Sequence, residues 1–462
     1  MLSAIFAFAA GCGNPQPGPP GDALPPVSAP PPETVDSAAP VVGSAGTASL
    51  TDTGSGAYRG LWVLCEGSRR VLEAPERIDV LIEDAQALGT SDLFVQVYRG
   101  GRAWYRSSEA DARPYETIVE EHGADPLASL IEKAHAAGLR VHAWVNVLSL
   151  SHNREAPLLS ELGKPAVQVD RKGRSILDYP EGYDLPEPDR SWLRAGTPGI
   201  YLDPAAPGVA DKLVATFEEL VRNYPTLDGL HLDYIRHPGV LPFVPGSRFG
   251  VGLDYGYGEA SRRRFQRQTG VPGPYANDEA PDPKRLRNTT RWDDWRRDKV
   301  TELVERIGTA TAALQPELRL SAAVIAYVDR AYLSLAQDWR RWIDDSLIDF
   351  AVPMIYTKDD RLFGYQIDAL GHDARAERIW AGVGVWLFDG RPERAARQVE
   401  LAQRAKLAGD VLFSYDAIYA SRKAAEGTGG EQARAAPNLF TALAPLPASE
   451  PTTAPAAAAS SP

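Results

Sequence analysis

The chain has 462 residues, 44% of them hydrophobic, and a formal net charge of -12. That length accommodates one large alternating α/β domain of about 250 residues or more and requires no second enzymatic one. The acidic balance argues against nucleic acid and against a basic grip on anionic lipid, because counterion release needs clustered lysine and arginine; the runs Arg262–Arg264 and Arg296–Arg297 are interleaved with acids and read as solvated helix faces.

Met1–Ala10 (MLSAIFAFAA) is a short apolar run that passes through Ala9, Ala10 and Gly11 to Cys12. It resembles a bacterial lipoprotein signal (residues 1–12) cut just ahead of a lipidated cysteine, and it is too short to span a bilayer. The basic residues of such a signal are missing, and a start upstream of Met1 would supply them. The expectation is a lipid anchor on Cys12 and an extracytoplasmic location on a bacterial membrane. Cys65 then has no disulfide partner and reads as a packed strand thiol. Residues 13–57 are Pro, Gly, Ala, Ser and Thr with almost no large apolar side chain, so they cannot offset their own ordering entropy and are expected to form a disordered tether. As flexible coil such a tether averages roughly 40 Å end to end. The tail over 444–462 has the same composition and the same expectation.

Between these segments, residues 58–443 repeat a β-branched or aromatic run followed by helical spacing, the pattern of parallel strands with crossover helices. Eight strands are predicted: Gly60–Cys65, Leu93–Tyr98, Arg140–Val147, Gly229–Ile235, Leu318–Ile325, Phe350–Tyr356, Ile379–Trp386 and Val411–Tyr415. The clearest helix starts at Asp125 with Pro126 in its first turn, sets Leu127, Leu130, Ile131 and Ala134 on one face, and stops at Gly138. Leu213, Phe217, Leu220, Val221 and Tyr224 make a second stripe, and Leu335, Trp339, Trp342 and Ile343 a third, both read as core. The expected fold is a (β/α)8 TIM barrel. Its long connections, Ser149–Gly199 and His237–Thr290, follow the third and fourth strands on the side where such barrels keep their chemistry.

Side chains alternate along a strand, so polar residues of one parity near strand ends point into the barrel. His231 and Asp233 share a face, as do His142, Trp144 and Asn146, Gln96 and Tyr98, and Met354 and Tyr356. Gly382, Gly384 and Trp386 suggest a cleared interior below an aromatic platform that suits a sugar ring. Glu66, Asp359 and Asp416 add carboxylates at the mouth. Glycoside hydrolysis needs two carboxylates, about 5–5.5 Å apart for retention or about 6.5–9.5 Å for inversion. Asp233 is the expected nucleophile or base and Glu66, beside Trp62 and Leu64, the expected desolvated acid, with Asp359 and Asp416 as further candidates. Asp203, in YLDP, fits a helix N-cap as well as a catalytic group. His231, Asp233 and His237 are metal-ligand types without a well-placed companion run, so no metal or cofactor is expected.

Several strings resemble the glycosyl hydrolase-like 10 family of bacterial envelope proteins: GLWV from Gly60, FVQVYRGGRAWY from Phe94, HAWVNV from His142, YLDP from Tyr201, DGLHLDYIRHP from Asp228, PMIY from Pro353 and FSYD from Phe413. Their order spans nearly all of Ala57–Leu443. The resemblance implies a (β/α)8 fold, secretion or lipid anchoring, and hydrolysis of a glycan, some relatives acting on peptidoglycan strands stripped of peptides. It sets Asp233 on the family's acidic residue after the fourth strand. Gly100, Gly101 and Arg102 stand where an Arg-Gly-Asp-like string is expected, so substrate range does not transfer directly. The function expected is a lipid-anchored glycoside hydrolase whose glycan stacks on Tyr98, Trp104, Tyr105, Tyr356 or Trp386 and is hydrogen-bonded by Arg99, Asn146 and Arg236. The alternatives are a non-catalytic glycan-binding lipoprotein and, third, a structural envelope protein.

Overall fold

A computed structural model describes residues 58–242, 253–277, 282–427 and 437–445. Cys12, the tether and most of the tail lie outside the described residues. Eight parallel strands form the centre: β1 (Tyr58–Val63), β2 (Asp92–Arg99), β3 (Arg140–Asn146), β4 (Gly229–Asp233), β5 (Arg319–Ile325), β6 (Phe350–Ile355), β7 (Trp380–Val383) and β8 (Gly409–Leu412). Each pairs with its sequence neighbours, and β1 pairs with both β2 and β8, which closes a (β/α)8 barrel. One main helix follows each strand: α1 (Pro75–Ala87), α2 (Pro126–Ala136), α3 (Val209–Asn223), α4 (Thr289–Leu314), α5 (Trp339–Asp344), α6 (Asp360–Gly371), α7 (Pro392–Arg404) and α8 (Tyr415–Gly427).

The local signals explain these elements. Asp125 accepts the Ala128 N–H (2.9 Å) and Pro126 opens α2, a cap worth about 1 kcal/mol. The third stripe is cut in two, because Ala336 (φ 54°) separates Val328–Leu335 from α5, yet all four of its side chains are buried as expected. Strand seven is shorter than predicted: β7 ends at Val383 and Val385–Phe388 turns into a 3-10 helix.

The barrel interior is filled rather than open. Trp62, Phe94, Trp144, Phe350, Val352, Trp380, Val411 and Phe413 pack there as one cluster, with Trp380 stacked on Phe350 at 4.6 Å and Phe94 on His142 at 4.6 Å. The cleared space expected at Gly382 is taken by Trp62, whose Cη2 lies 3.1 Å from where a Cβ would stand. At the amino-terminal end of the strands the interior is closed by charge. Asp92 receives two hydrogen bonds from Arg140 (2.7 and 2.6 Å), one from His142 Nε2 (2.9 Å) and one from Ser91 (2.6 Å).

The described parts of the two long connections join into one wall above the carboxyl ends of β3 and β4. Ser149–Ser151 pairs with Ile200–Tyr201, and Leu193–Ala195, from the first connection, pairs with Val240–Pro242 from the second. Asp254 ties them further, binding Arg171 at 2.6 Å and Arg296 at 2.9 Å. Arg296 and Arg297 are therefore buried and paired, not solvated as their charge pattern suggested, since α4 turns them inward against this wall.

Candidate active site

Asp233 ends β4, paired in register with Asn146 at the end of β3. The chain turns sharply there: Tyr234 adopts φ 53°, a rare conformation for a bulky residue, and so aims its N–H at Asp233 Oδ1 (2.7 Å). Trp144 Nε1–H donates to Oδ2 (3.2 Å). Only 6% of Asp233 is exposed. Burial pushes its carboxyl up to about 6, against the opposing pull of Arg236, the Tyr234 amide, the Trp144 indole and Arg99.

A hydrogen-bonded floor lies below. Trp62 Nε1–H donates to His231 Nε2 (3.2 Å), which fixes the proton on Nδ1 and directs it to Ser321 Oγ (2.8 Å). Burial, with some repulsion from His142, holds His231 well below the usual imidazole range, so it is a neutral strut. Cys65 Sγ bonds Gln96 (3.2 Å), and Gln96 Nε2 bonds Asn146 Oδ1 (3.1 Å), linking the ends of the first three strands.

Arg99, Arg236 and Tyr356 lie close enough to Asp233 to exchange electrostatic effects with it, and further groups stand on them. Arg99 Nε lies 3.2 Å from Glu66 and Arg102 Nη1 lies 3.5 Å from it. Glu66 is exposed, so the desolvated setting expected for an acid is absent; the cations that hold it come from a distant turn, where Gly100 and Gly101 take φ 62° and 75° and bring Arg102 back. The Arg236 guanidinium stands 4.9 Å over the Tyr234 ring. Tyr356 is half-buried, 5.6 Å from Phe413, and a Cβ on Gly384 would stand 3.0 Å from it. Burial raises its phenol, and the Asp233 charge raises it further. Trp386, half-buried against the interior cluster, reaches it from the 3-10 turn rather than from the strand.

Several expected site residues lie elsewhere. The ladder between β2 and β3 shifts register between Gln96 and Tyr98, and the extra residue turns Tyr98 outward, edge-on to Phe217 of α3 at 5.4 Å. Trp104 and Tyr105 follow it into the strand–helix core, with the Tyr105 hydroxyl 3.4 Å from the Thr216 carbonyl. The same bulge swings Arg99 toward Glu66. Asp359 caps α6, accepting the Arg361 (2.9 Å) and Leu362 (3.1 Å) amides. Asp416, by contrast, stays just past the carboxyl end of β8: its Oδ1 accepts the Arg69 N–H (2.7 Å) and the Ser68 hydroxyl (3.3 Å), its buried Oδ2 has no partner, and burial raises it. Asp203 is neither cap nor mouth residue; it joins Ser261 (2.7 Å) and the Ala205 amide (2.9 Å), while Gly208 precedes α3. Sequence reasoning missed Tyr234, Tyr201 and the donor role of Trp144. The positive φ at position 234 leaves no mark in DYIR.

The family model described as "Glycosyl hydrolase-like 10" matches residues 57–404. "Glycosyl hydrolase DigH" of Escherichia coli K12 is 24% identical over 393 residues, covering 76% of this chain and 77% of that protein. "Glycosyl hydrolase YngK" of Bacillus subtilis 168 is 26% identical over 304 residues, covering 62% of this chain and 50% of that one. Among solved structures, the β-galactosidase Gan42B of G. stearothermophilus superposes with a TM-score of 0.53 at 11% identity, over 85% of this chain and 56% of that one, a likeness of fold alone.

Proposed function

This chain belongs to the glycosyl hydrolase-like 10 family, and from that premise we propose that it is a glycoside hydrolase cleaving a cell-envelope glycan across the barrel mouth, with peptide-stripped peptidoglycan strands as the foremost substrate. The observation that carries this reading is Asp233, buried at the end of β4, given only two hydrogen-bond donors and pushed up to about 6. A carboxyl in that state keeps its proton in mildly acidic solution, which protonation of a leaving glycosidic oxygen demands. Asp233 is therefore the general acid, and Glu66, held between Arg99 and Arg102, is the carboxylate that activates water or meets the developing positive charge. The roles are exchanged relative to the sequence expectation. Tyr356 and Trp386 offer aromatic faces to the sugar, and Asn146 and Arg99 offer hydrogen bonds.

The test is incubation of the full chain with peptidoglycan, with and without stem peptides, and with neutral polysaccharides, reading released fragments by mass spectrometry. Release by the wild type and not by Asp233→Asn is the expected result. A glycan-binding protein without turnover is the second reading. It is favoured by the engagement of all three carboxylates expected beside Asp233: Glu66 by arginines, Asp359 and Asp416 by backbone amides. Binding without release from any polymer would establish it.

The segment ahead of Cys12 supports attachment to a bacterial membrane through lipid on that thiol, with the barrel outside the cytoplasm. Mass spectrometry of the membrane-extracted protein tests this: a diacylglyceryl adduct on Cys12, lost in Cys12→Ser, is expected.

A further inference from the structure

Three arginines are fully buried among the described residues: Arg236 (5% exposed), Arg296 (7%) and Arg297 (7%). Arg296 holds Asp254 and Asp293, and Arg297 holds Asp294. Arg236 makes no ion pair with any described carboxylate, its Nε has no hydrogen-bond partner, and the face of Tyr234 lies under it. A buried guanidinium left without an anion is costly, so a fold that keeps one beside its site keeps it for something that arrives. Trp386 Nε1 is another buried donor without a hydrogen-bond partner. Tyr201 lies within hydrogen-bonding reach of Arg236 and Thr197 and close enough to feel the charge of Asp233, so the neighbour it gives Arg236 is a neutral phenol and not an anion.

We propose that Arg236 is a specificity residue that binds a carboxylate on the sugar entering beside Asp233, so that the site selects glycans bearing free carboxylate groups over neutral ones. The proposal rests on the glycoside hydrolase reading only for what happens after binding. The guanidinium offers a planar fork that matches a carboxylate in two parallel hydrogen bonds, which a hydroxyl cannot reproduce. Arg99 does not compete for this role, because Glu66 already occupies it. The same chemistry is presented by a lactyl ether on peptide-stripped peptidoglycan or by a uronic acid, and the experiment separates these sources.

Binding to the full-length Asp233→Asn protein is measured by tryptophan fluorescence with four probes: peptide-stripped peptidoglycan strands, the same strands after reduction of their carboxyls to alcohols, polygalacturonate oligomers and chitin oligomers. Reduction of the strands, a change in the ligand that leaves the protein's folding untouched, is expected to weaken binding roughly 10- to 100-fold, the size of a lost charge-assisted pair. Arg236→Gln is expected to bind native and reduced strands alike, and Arg236→Lys to recover part of the preference. Tight binding of polygalacturonate instead of the strands supports the proposal with a uronic acid as the source. Equal binding of native and reduced strands, preference for chitin oligomers, or binding of none overturns it. Hydrolysis by the wild type is read separately: carboxylate-dependent binding without cleavage removes the hydrolase reading and leaves this one standing.

Discussion

Asp92 and Asp233 are two buried carboxyls at opposite ends of one barrel, the first residue of β2 and the last of β4. Burial pushes both upward, yet they titrate in opposite directions. At Asp92 the hydrogen bonds and charges of His142 and Arg140 overcome burial and hold the group well below the usual carboxylate range. At Asp233 burial wins, because Arg236 and Arg99 act without touching it and only two neutral donors reach it. What separates an acid held ionised from one left able to keep its proton here is how completely the neighbours commit to it. The closed end spends its cations in ion pairs, whereas the open end keeps one buried cation unpaired.

The sharpest test of that contrast is to neutralise each in turn. Asp233→Asn is expected to lower turnover about a thousandfold, within the range for loss of a positioned acid, with the melting temperature at pH 7 unchanged or raised. Asp92→Asn leaves Arg140 and His142 without their buried anion and is expected to cost about 3–5 kcal/mol in denaturant unfolding, with kcat/KM within about twofold of wild type. If Asp233→Asn unfolds the protein, or Asp92→Asn silences a stable one, the division between the two ends is wrong.

Their pH dependences run in opposite senses. A lowered folded pKa makes the Asp92 contribution present above the unfolded value near 4 and lost as pH falls through the folded one, so it appears as acid destabilisation. A raised folded pKa gives Asp233 a contribution present below about 4 and lost as pH rises through about 6. Asp233→Asn should therefore remove a loss of stability between those limits, seen in melting temperatures across pH 4 to 7. As general acid it also predicts that kcat/KM falls as pH rises through about 6. A profile that rises there would make Asp233 the base or nucleophile and return the acid to another group.

The strands and the faces of their side chains were readable from sequence because they follow alternation, whereas the packed interior and the Asp92 cluster were not. His142 and Trp144, like His231 and Asp233, share faces that period two assigns, and the eight strand runs stand between turn residues. The open end was less readable, because its decisive features are departures from period two. One inserted residue in β2 sent Tyr98 to the helices and Arg99 to Glu66. Gly382 of β7 carries no side chain into the interior, yet Trp62 fills the space beside it, a contact set by packing rather than by local pattern. The surroundings of Glu66 were unreadable for the same reason, since nothing near it in sequence announces the arginines that hold it.

The smallest effect expected probes the one donor that spans both ends. Trp144 belongs to the packed interior through Trp62, at 6.5 Å, and to the site through its bond to Asp233. Trp144→Phe keeps an aromatic ring in the cluster but removes the N–H that favours the charged carboxylate, so the alkaline limb of kcat/KM should move upward, by up to about one pH unit for a single hydrogen bond. The lost ring volume should appear separately, as a modest drop in melting temperature. A stability change with no movement of the limb would mean that the indole supports Asp233 only by packing, and that burial alone accounts for its proton.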